Sequence, residues 1–156
     1  MYRSVLTLVT MAVAMTVCPA ARAEEGTDSV MEKLQGVWNV TRGVSQGEDI
    51  PKKDLKGTKM KIEDNVIVTY DADENEKYRA SFSINSSVQP IAIDMETKTK
   101  GMPPMKSLGI VKLSEGNGLK LCYALPGVDR PAKFQSKEGE MTMLFMAKKE
   151  SATKSK

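Results

Sequence analysis

The sequence predicts an all-β protein, an antiparallel up-and-down barrel of about eight strands that follows a short N-terminal helix. Short segments alternate apolar and polar residues, as strands with one buried face do. Short turns rich in Gly, Asn and Asp separate these segments at regular spacing. We favour a closed barrel over a flattened sandwich because closure removes the exposed strand edges, although strand count alone does not separate the two.

The first 23 residues predict a secretory signal peptide. Arg3 precedes an uncharged apolar run at residues 5–17, and Ala21-Arg22-Ala23 is a cleavage pattern. The run is shorter than the roughly 20 residues that a membrane-spanning helix needs. A lipid anchor on Cys18 is disfavoured because Val17 precedes it. We therefore expect an exported chain, periplasmic or extracellular, with no membrane span after cleavage.

Cleavage changes the charge and the cysteine content. The 23 basic residues fall to 21 while all 20 acidic residues remain, so the net charge falls from +3 to +1. With no basic stripe, we expect no nucleic-acid partner. Cys122 becomes the single thiol, which excludes an intrachain disulfide. An unpaired Cys is more often a small buried hydrophobe than a nucleophile, and we expect a monomer.

The predicted elements occupy one domain at residues 24–150, and residues 151–156 are predicted to be a disordered basic tail. A helix is expected at 29–35, with Gly36 as its stop, and one helical turn at 51–55. In the first strand, alternation places Trp38, Val40 and Val44 on one face. Strands are predicted at residues 37–44, 58–63, 66–70, 77–84, 90–95, 107–113, 119–125, 132–135 and 141–147.

Several short motifs carry a resemblance to a known family. They run in order through the chain: Gly36-x-Trp38, Leu55-Lys56-Gly57, Ala92-Ile93-Asp94, Gly109-Ile110, Leu119-Lys120-Leu121-Cys122-Tyr123-Ala124, Pro126-Gly127, Arg130-Pro131-x-x-Phe134 and a closing apolar strand with Lys148. Together they resemble an uncharacterised lipocalin-like domain family of exported planctomycete proteins. The resemblance covers nearly the whole predicted mature chain.

The resemblance implies a lipocalin-like barrel of unknown function, with no catalytic residues to carry over. The order of elements along the chain predicts that Gly36 turns the helix into the first strand and that Gly36 and Trp38 form a structural plug at one end of the barrel. In lipocalins an Arg of the last strand commonly covers this Trp, but here that strand ends in Lys148-Lys149. Arg42 and Arg130 are therefore the candidates for the cover.

The residues give no support for catalysis or for a metal or other cofactor. The absence of His excludes a nucleophile–His pair. The acidic segment 71–76 lacks the glycine and the distal Glu of an EF-hand loop, so we interpret it as a solvated turn. Met102 and Met105 suit Cu(I), but methionines more often fill cores. An enzyme is the least supported function.

Two functions stay open. The barrel either binds a small apolar molecule, or it is a packed module that contacts other envelope proteins through its outer face and the loops at 45–49 and 96–106. The candidate ligand-binding residues are those expected to point inward from the middle strands: Val40, Met60, Tyr78, Phe82, Ile93 and Tyr123.

Overall fold

The computed structural model describes residues 20–151 as a closed antiparallel barrel with a helix at its N-terminus. Most of the predicted signal peptide, residues 1–19, and residues 152–156 of the predicted tail lie outside the described residues. The helices and strands are α1 Ala20–Leu34, β1 Gly36–Ser45, β2 Glu48–Asp49, α2 Lys52–Leu55, β3 Lys59–Glu63, β4 Val66–Tyr70, β5 Glu76–Asn85, β6 Ile91–Thr97, β7 Met105–Ser114, β8 Gly118–Ala124 and β9 Thr142–Lys149.

The barrel closes through β1, which has two partners. Its first residues pair with β3, and most of its length pairs with β9, from Trp38 opposite Lys149 to Ser45 opposite Met143. From β3 to β9 each strand pairs antiparallel with the next. Eight strands thus form the closed wall, and β2 is an extra short strand on the end of β1. The predicted all-β up-and-down barrel is confirmed, and closure pairs the strand edges that would otherwise be exposed.

The two ends of the barrel differ in what covers them. Three tight turns, at 64–65, 86–90 and 115–117, lie at the same end as the C-terminus of α1, and we call this the closed end. Gln35 at the helix terminus bonds the backbone of Asp64, and Thr27 bonds Ser86. The longer connections at 46–58, 71–75, 98–104 and 125–141 lie at the opposite end, which we call the open end.

The predicted strand at 132–135 is wrong. These residues belong to the connection between β8 and β9, which folds back over the outer face of the barrel. There Phe134 packs against a second apolar cluster outside the main core. The apolar residues in this stretch therefore cover a wall from outside, where no neighbouring strand is free to pair. The cluster comprises Val44, Ile110, Cys122 and Leu144 with Phe134 and Met146.

A β-bulge explains a second difference. The register of β1 against β9 shifts between Val40 and Arg42, so the extra residue reverses which side chains point inward. Trp38 and Val40 lie in the main core, but Val44 lies in the outer cluster beside Leu144. The expectation that Val44 shares a face with Trp38 is wrong for this reason. Simple alternation cannot detect a single inserted residue.

Candidate functional site

The closed end is built on Trp38. The first residues of β1 place its ring over the end of α1, and the side chain is only 1% exposed. The indole Nε1–H donates a hydrogen bond of 2.8 Å to the carbonyl oxygen of Leu34, so its polar group is satisfied inside the core. Gly36 has φ +116°, a conformation that lets the chain turn from α1 into β1 without steric cost.

Lys149 covers Trp38, and neither of the expected arginines does. The Lys149 Nζ lies 5.2 Å from the ring centroid and donates to the carbonyl oxygen of Lys33 at 3.1 Å. Because of the bulge, Arg42 points outward, where it pairs with Asp49 at 2.9 Å. Lys149 on the last strand therefore lies over Trp38, where lipocalins commonly have an arginine.

Arg130 lies in the β8–β9 connection on the outer face of the barrel, where it contacts the wall strands. Its Nη1 donates to the carbonyl oxygens of Ile93 at 2.9 Å and Gly109 at 2.6 Å, and its Nη2 pairs with Asp94. Three bonds from one guanidinium fasten the β8–β9 connection to β6 and β7. The two arginines are each engaged with a single carboxylate, an arrangement typical of structural ion pairs.

A cavity of about 140 Å³ lies inside the barrel at the open end, partly enclosed by the strands. Its wall is mostly apolar, and none of the described residues that border it is charged. Met60 and Met95 contribute flexible thioether side chains that adapt to irregular shapes. The lining consists of Val40, Thr58, Met60, Ile67, Thr69, Tyr78, Met95, Leu121, Tyr123 and Phe145.

Four of the six candidate ligand-binding residues border this cavity, namely Val40, Met60, Tyr78 and Tyr123. Phe82 and Ile93 lie in the same apolar core, 5% and 2% exposed, but away from the cavity wall. Alternation along a strand predicts which side chains point inward, but it does not predict their height along the barrel axis.

Six lining residues were not among the candidates. Thr58 and Thr69 are polar residues that an apolar pattern does not select. Phe145 faces inward by alternation along β9, between Leu144 and Met146 of the outer cluster, and the bulge in β1 places Gly43 opposite it. The remaining three lining residues occupy inward-facing strand positions, which is the sequence pattern that could have identified them: Ile67, Met95 and Leu121.

Two tyrosines and two threonines, Thr58 and Thr69, supply the polar side-chain groups of the lining. The Tyr78 hydroxyl oxygen accepts a hydrogen bond of 3.2 Å from Thr97 Oγ1. The Tyr123 ring stacks against Phe145, with centroids 6.3 Å apart, and its hydroxyl has no hydrogen-bond partner among residues 20–151. Burial raises the pKa of Tyr123 far above its usual value, and the nearby Tyr78 raises it further. Tyr123 is therefore a neutral phenol, and its hydroxyl can donate a hydrogen bond to a bound group.

Cys122 is a buried structural residue, as predicted. It is 0% exposed in the outer cluster, and its Sγ–H donates to the carbonyl oxygen of Gln135 at 3.3 Å. Burial raises the pKa of this thiol to about 11, so the nucleophilic thiolate is disfavoured.

In the acidic segment 71–76, near the open end, the carboxylate of Asp71 stabilises the turn. Asp71 accepts hydrogen bonds from the backbone N–H groups of Asp73 and Asn75 and pairs with Lys77 at 2.8 Å. The bond from Lys77 first, and then the backbone bond from Asn75, lower the pKa of Asp71 to about 2. No group of three or more potential metal ligands among Cys, Asp and Glu occurs in the described part of the chain.

The chain matches no protein-family model, and no curated protein or solved structure is significantly similar to it. Within residues 20–151 neither helix has the length and apolar character needed to cross a membrane.

Proposed function

We propose that the barrel binds one small, neutral, mainly apolar molecule in the cavity at its open end. The observation that carries this proposal is an apolar cavity of about 140 Å³ bordered by ten residues of the barrel interior. An engineered apolar cavity of roughly 150 Å³ in another protein takes up benzene. Sites for drug-sized ligands are larger, at roughly 300–1,000 Å³. The size therefore favours a compact ligand built on a single ring.

The apolar lining also supports a ligand. A molecule that fills the space gains dispersion contacts with the aliphatic and aromatic side chains around it. Because the lining carries no charge, an ionic ligand would lose its hydration without gaining a counter-ion.

The proposal extends to the setting in which the protein works. The N-terminal pattern of Arg3, an apolar run and Ala21-Arg22-Ala23 supports an exported, periplasmic or extracellular protein. The resemblance to lipocalin-like domains supports ligand binding inside a barrel, by analogy of fold. We propose a monomeric carrier or sensor, and no nucleophile paired with a base occurs among the described residues that border the cavity.

Blocking the cavity tests this proposal. Methylenecyclohexane and benzene are titrated into the purified protein and followed by NMR. At about 0.6 kcal/mol per heavy atom, within the range of roughly 0.3–1.5 kcal/mol for small ligands, the seven heavy atoms of methylenecyclohexane give about 4 kcal/mol, a dissociation constant on the order of 1 mM. Thr69→Phe places a ring in the cavity and should abolish binding, since Thr69 borders it. Thr41→Phe is the matched control, because Thr41 is exposed on the outside of β1. Failure of every ring-sized hydrocarbon to bind, or equal binding by the two variants, would refute the proposal.

An interaction module without a ligand is the second candidate. The observation that favours it is that three large apolar side chains exposed at the open end are methionines, Met102, Met105 and Met141. Methionine is adaptable and is common on surfaces that accept several partners. The cavity tests separate the two candidates, because a packed module has no reason to discriminate between Thr69→Phe and Thr41→Phe.

A further inference from the structure

We infer that the ligand carries a hydrogen-bond acceptor, such as the carbonyl oxygen of a small cyclic ketone, which the hydroxyl groups of Tyr123 and Tyr78 bind. This inference rests on the proposed function and specifies the chemical class of the ligand.

The placement of the two tyrosines is the first step. Tyr78 comes from β5 and Tyr123 from β8, two strands that are not neighbours in the barrel wall. Both nevertheless border the same cavity. Tyr78 also contributes to the raised pKa of Tyr123 through a charge interaction, as expected for two groups in the same part of the interior. The two side chains therefore bring hydroxyl groups to the lining of one mainly apolar cavity.

The balance of donors and acceptors is the second step. A phenol hydroxyl can donate one hydrogen bond. The Thr97 hydroxyl donates to the Tyr78 oxygen, which leaves the Tyr78 proton available. The Tyr123 hydroxyl has no partner among the described residues, so its proton is also available. Beside the hydroxyls of Thr58 and Thr69, the two tyrosines thus offer two O–H donors, which one acceptor oxygen with two lone pairs can bind.

The charge of that acceptor is the third step. A carboxylate would also accept two hydrogen bonds, but no cationic side chain borders the cavity. Moving an unpaired anion from water into an apolar space is far more costly than moving a neutral carbonyl group. A neutral ketone or aldehyde fits both the size of the cavity and its donors.

A matched pair of ligands tests this inference. Cyclohexanone and methylenecyclohexane have nearly the same shape and differ in whether the ring carries C=O or C=CH₂. Their affinities are measured for the wild-type protein and for Tyr123→Phe, which removes only a hydroxyl that lacks a protein partner. Tyr70→Phe is the control, because Tyr70 lies outside the cavity lining, near Lys61 and Arg79.

We expect Tyr123→Phe to weaken cyclohexanone binding by about three- to tenfold, the value of one hydrogen bond. Methylenecyclohexane binding should change less than about twofold, and Tyr70→Phe should affect neither ligand. The infrared C=O stretch of bound cyclohexanone should lie at lower frequency in the wild-type protein than in Tyr123→Phe. Equal effects of Tyr123→Phe on both ligands would overturn the inference and leave the proposed function intact. Absence of binding by both ligands would overturn the inference and the proposed function together.

Discussion

The closed and open ends of the barrel are formed by the same strands. They differ in how tightly the interior is packed and in whether its polar groups are hydrogen-bonded. At the closed end Trp38 and Leu34 are each 1% exposed, and the single polar atom of the indole is bonded to the chain. At the open end a cavity of about 140 Å³ remains, and the Tyr123 hydroxyl lacks a partner among the described residues. The closed end is therefore tightly packed with its indole N–H hydrogen-bonded, whereas the open end keeps a cavity and a hydroxyl without a partner among residues 20–151.

Of the substitutions that test this difference between the two ends, Trp38→Ala should cause the largest loss of stability. It removes a buried aromatic ring and its hydrogen bond, so we expect a loss of about 3–5 kcal/mol in the free energy of unfolding. Urea denaturation measures the loss. Trp38→Phe, which keeps most of the apolar ring, should lose distinctly less.

The same variant also tests whether the two ends are independent. Under conditions where Trp38→Ala is still folded, its affinity for methylenecyclohexane should remain within about threefold of wild type, because Trp38 does not border the cavity. An unchanged urea midpoint would show that Trp38 does not hold the closed end together.

Alkaline pH should weaken the outer cluster that the open-end connection covers. The Cys122 thiol titrates near 9.0 in an unfolded chain, and burial raises its folded pKa to about 11. The unfolded state therefore loses this proton first, and stability falls as the pH rises from about 9 to 11. The loss attributable to this group should reach about 2 kcal/mol.

Cys122→Ala isolates this contribution, because it leaves the tyrosines and lysines that titrate in the same range. Urea midpoints measured across this pH range should fall less steeply for Cys122→Ala than for wild type. Parallel curves for the two proteins would contradict burial of a protonated thiol beneath the 125–141 connection.

Lys149→Met should give the smallest effect, about 0.5–1 kcal/mol, through loss of the cation over Trp38. Lys149→Arg should retain most of the stability because it keeps a cation at this position. The neighbouring Lys148→Met is the control, since Lys148 is exposed. The effect should also shrink in the Trp38→Ala background, as a double-mutant cycle would show. Equal losses for the two lysine variants would mean that Lys149 does not act through Trp38.

Most of the fold was predictable because each wall strand has a clear alternating pattern and a short turn. The strand at 77–84, for example, appears as β5 Glu76–Asn85. The errors arise where alternation does not describe the chain. The bulge after Val40 inserts one residue, and residues 132–135 pack from outside without pairing. Neither the bulge nor the packing from outside changes the local alternation of apolar and polar residues, so this pattern cannot reveal them.

The candidate site was only partly predictable for a related reason. Inward positions on the strands correctly included Val40, Met60, Tyr78 and Tyr123. The choice between those residues and Phe82 or Ile93 depends on where along the axis the packing leaves space, which is a property of the assembled core. The missing partner of the Tyr123 hydroxyl is likewise visible only when all of its neighbours are in place.

A side-chain methyl NMR titration with methylenecyclohexane tests directly whether the open end of the barrel binds a ligand. We expect saturable shifts for methyl groups that border the cavity, those of Val40, Ile67 and Leu121, and none for Ile110 and Leu144 in the outer cluster. Thr69→Phe should suppress the shifts. Shifts confined to the outer cluster, or no saturable shift at any cavity methyl group, would contradict a ligand site at the open end.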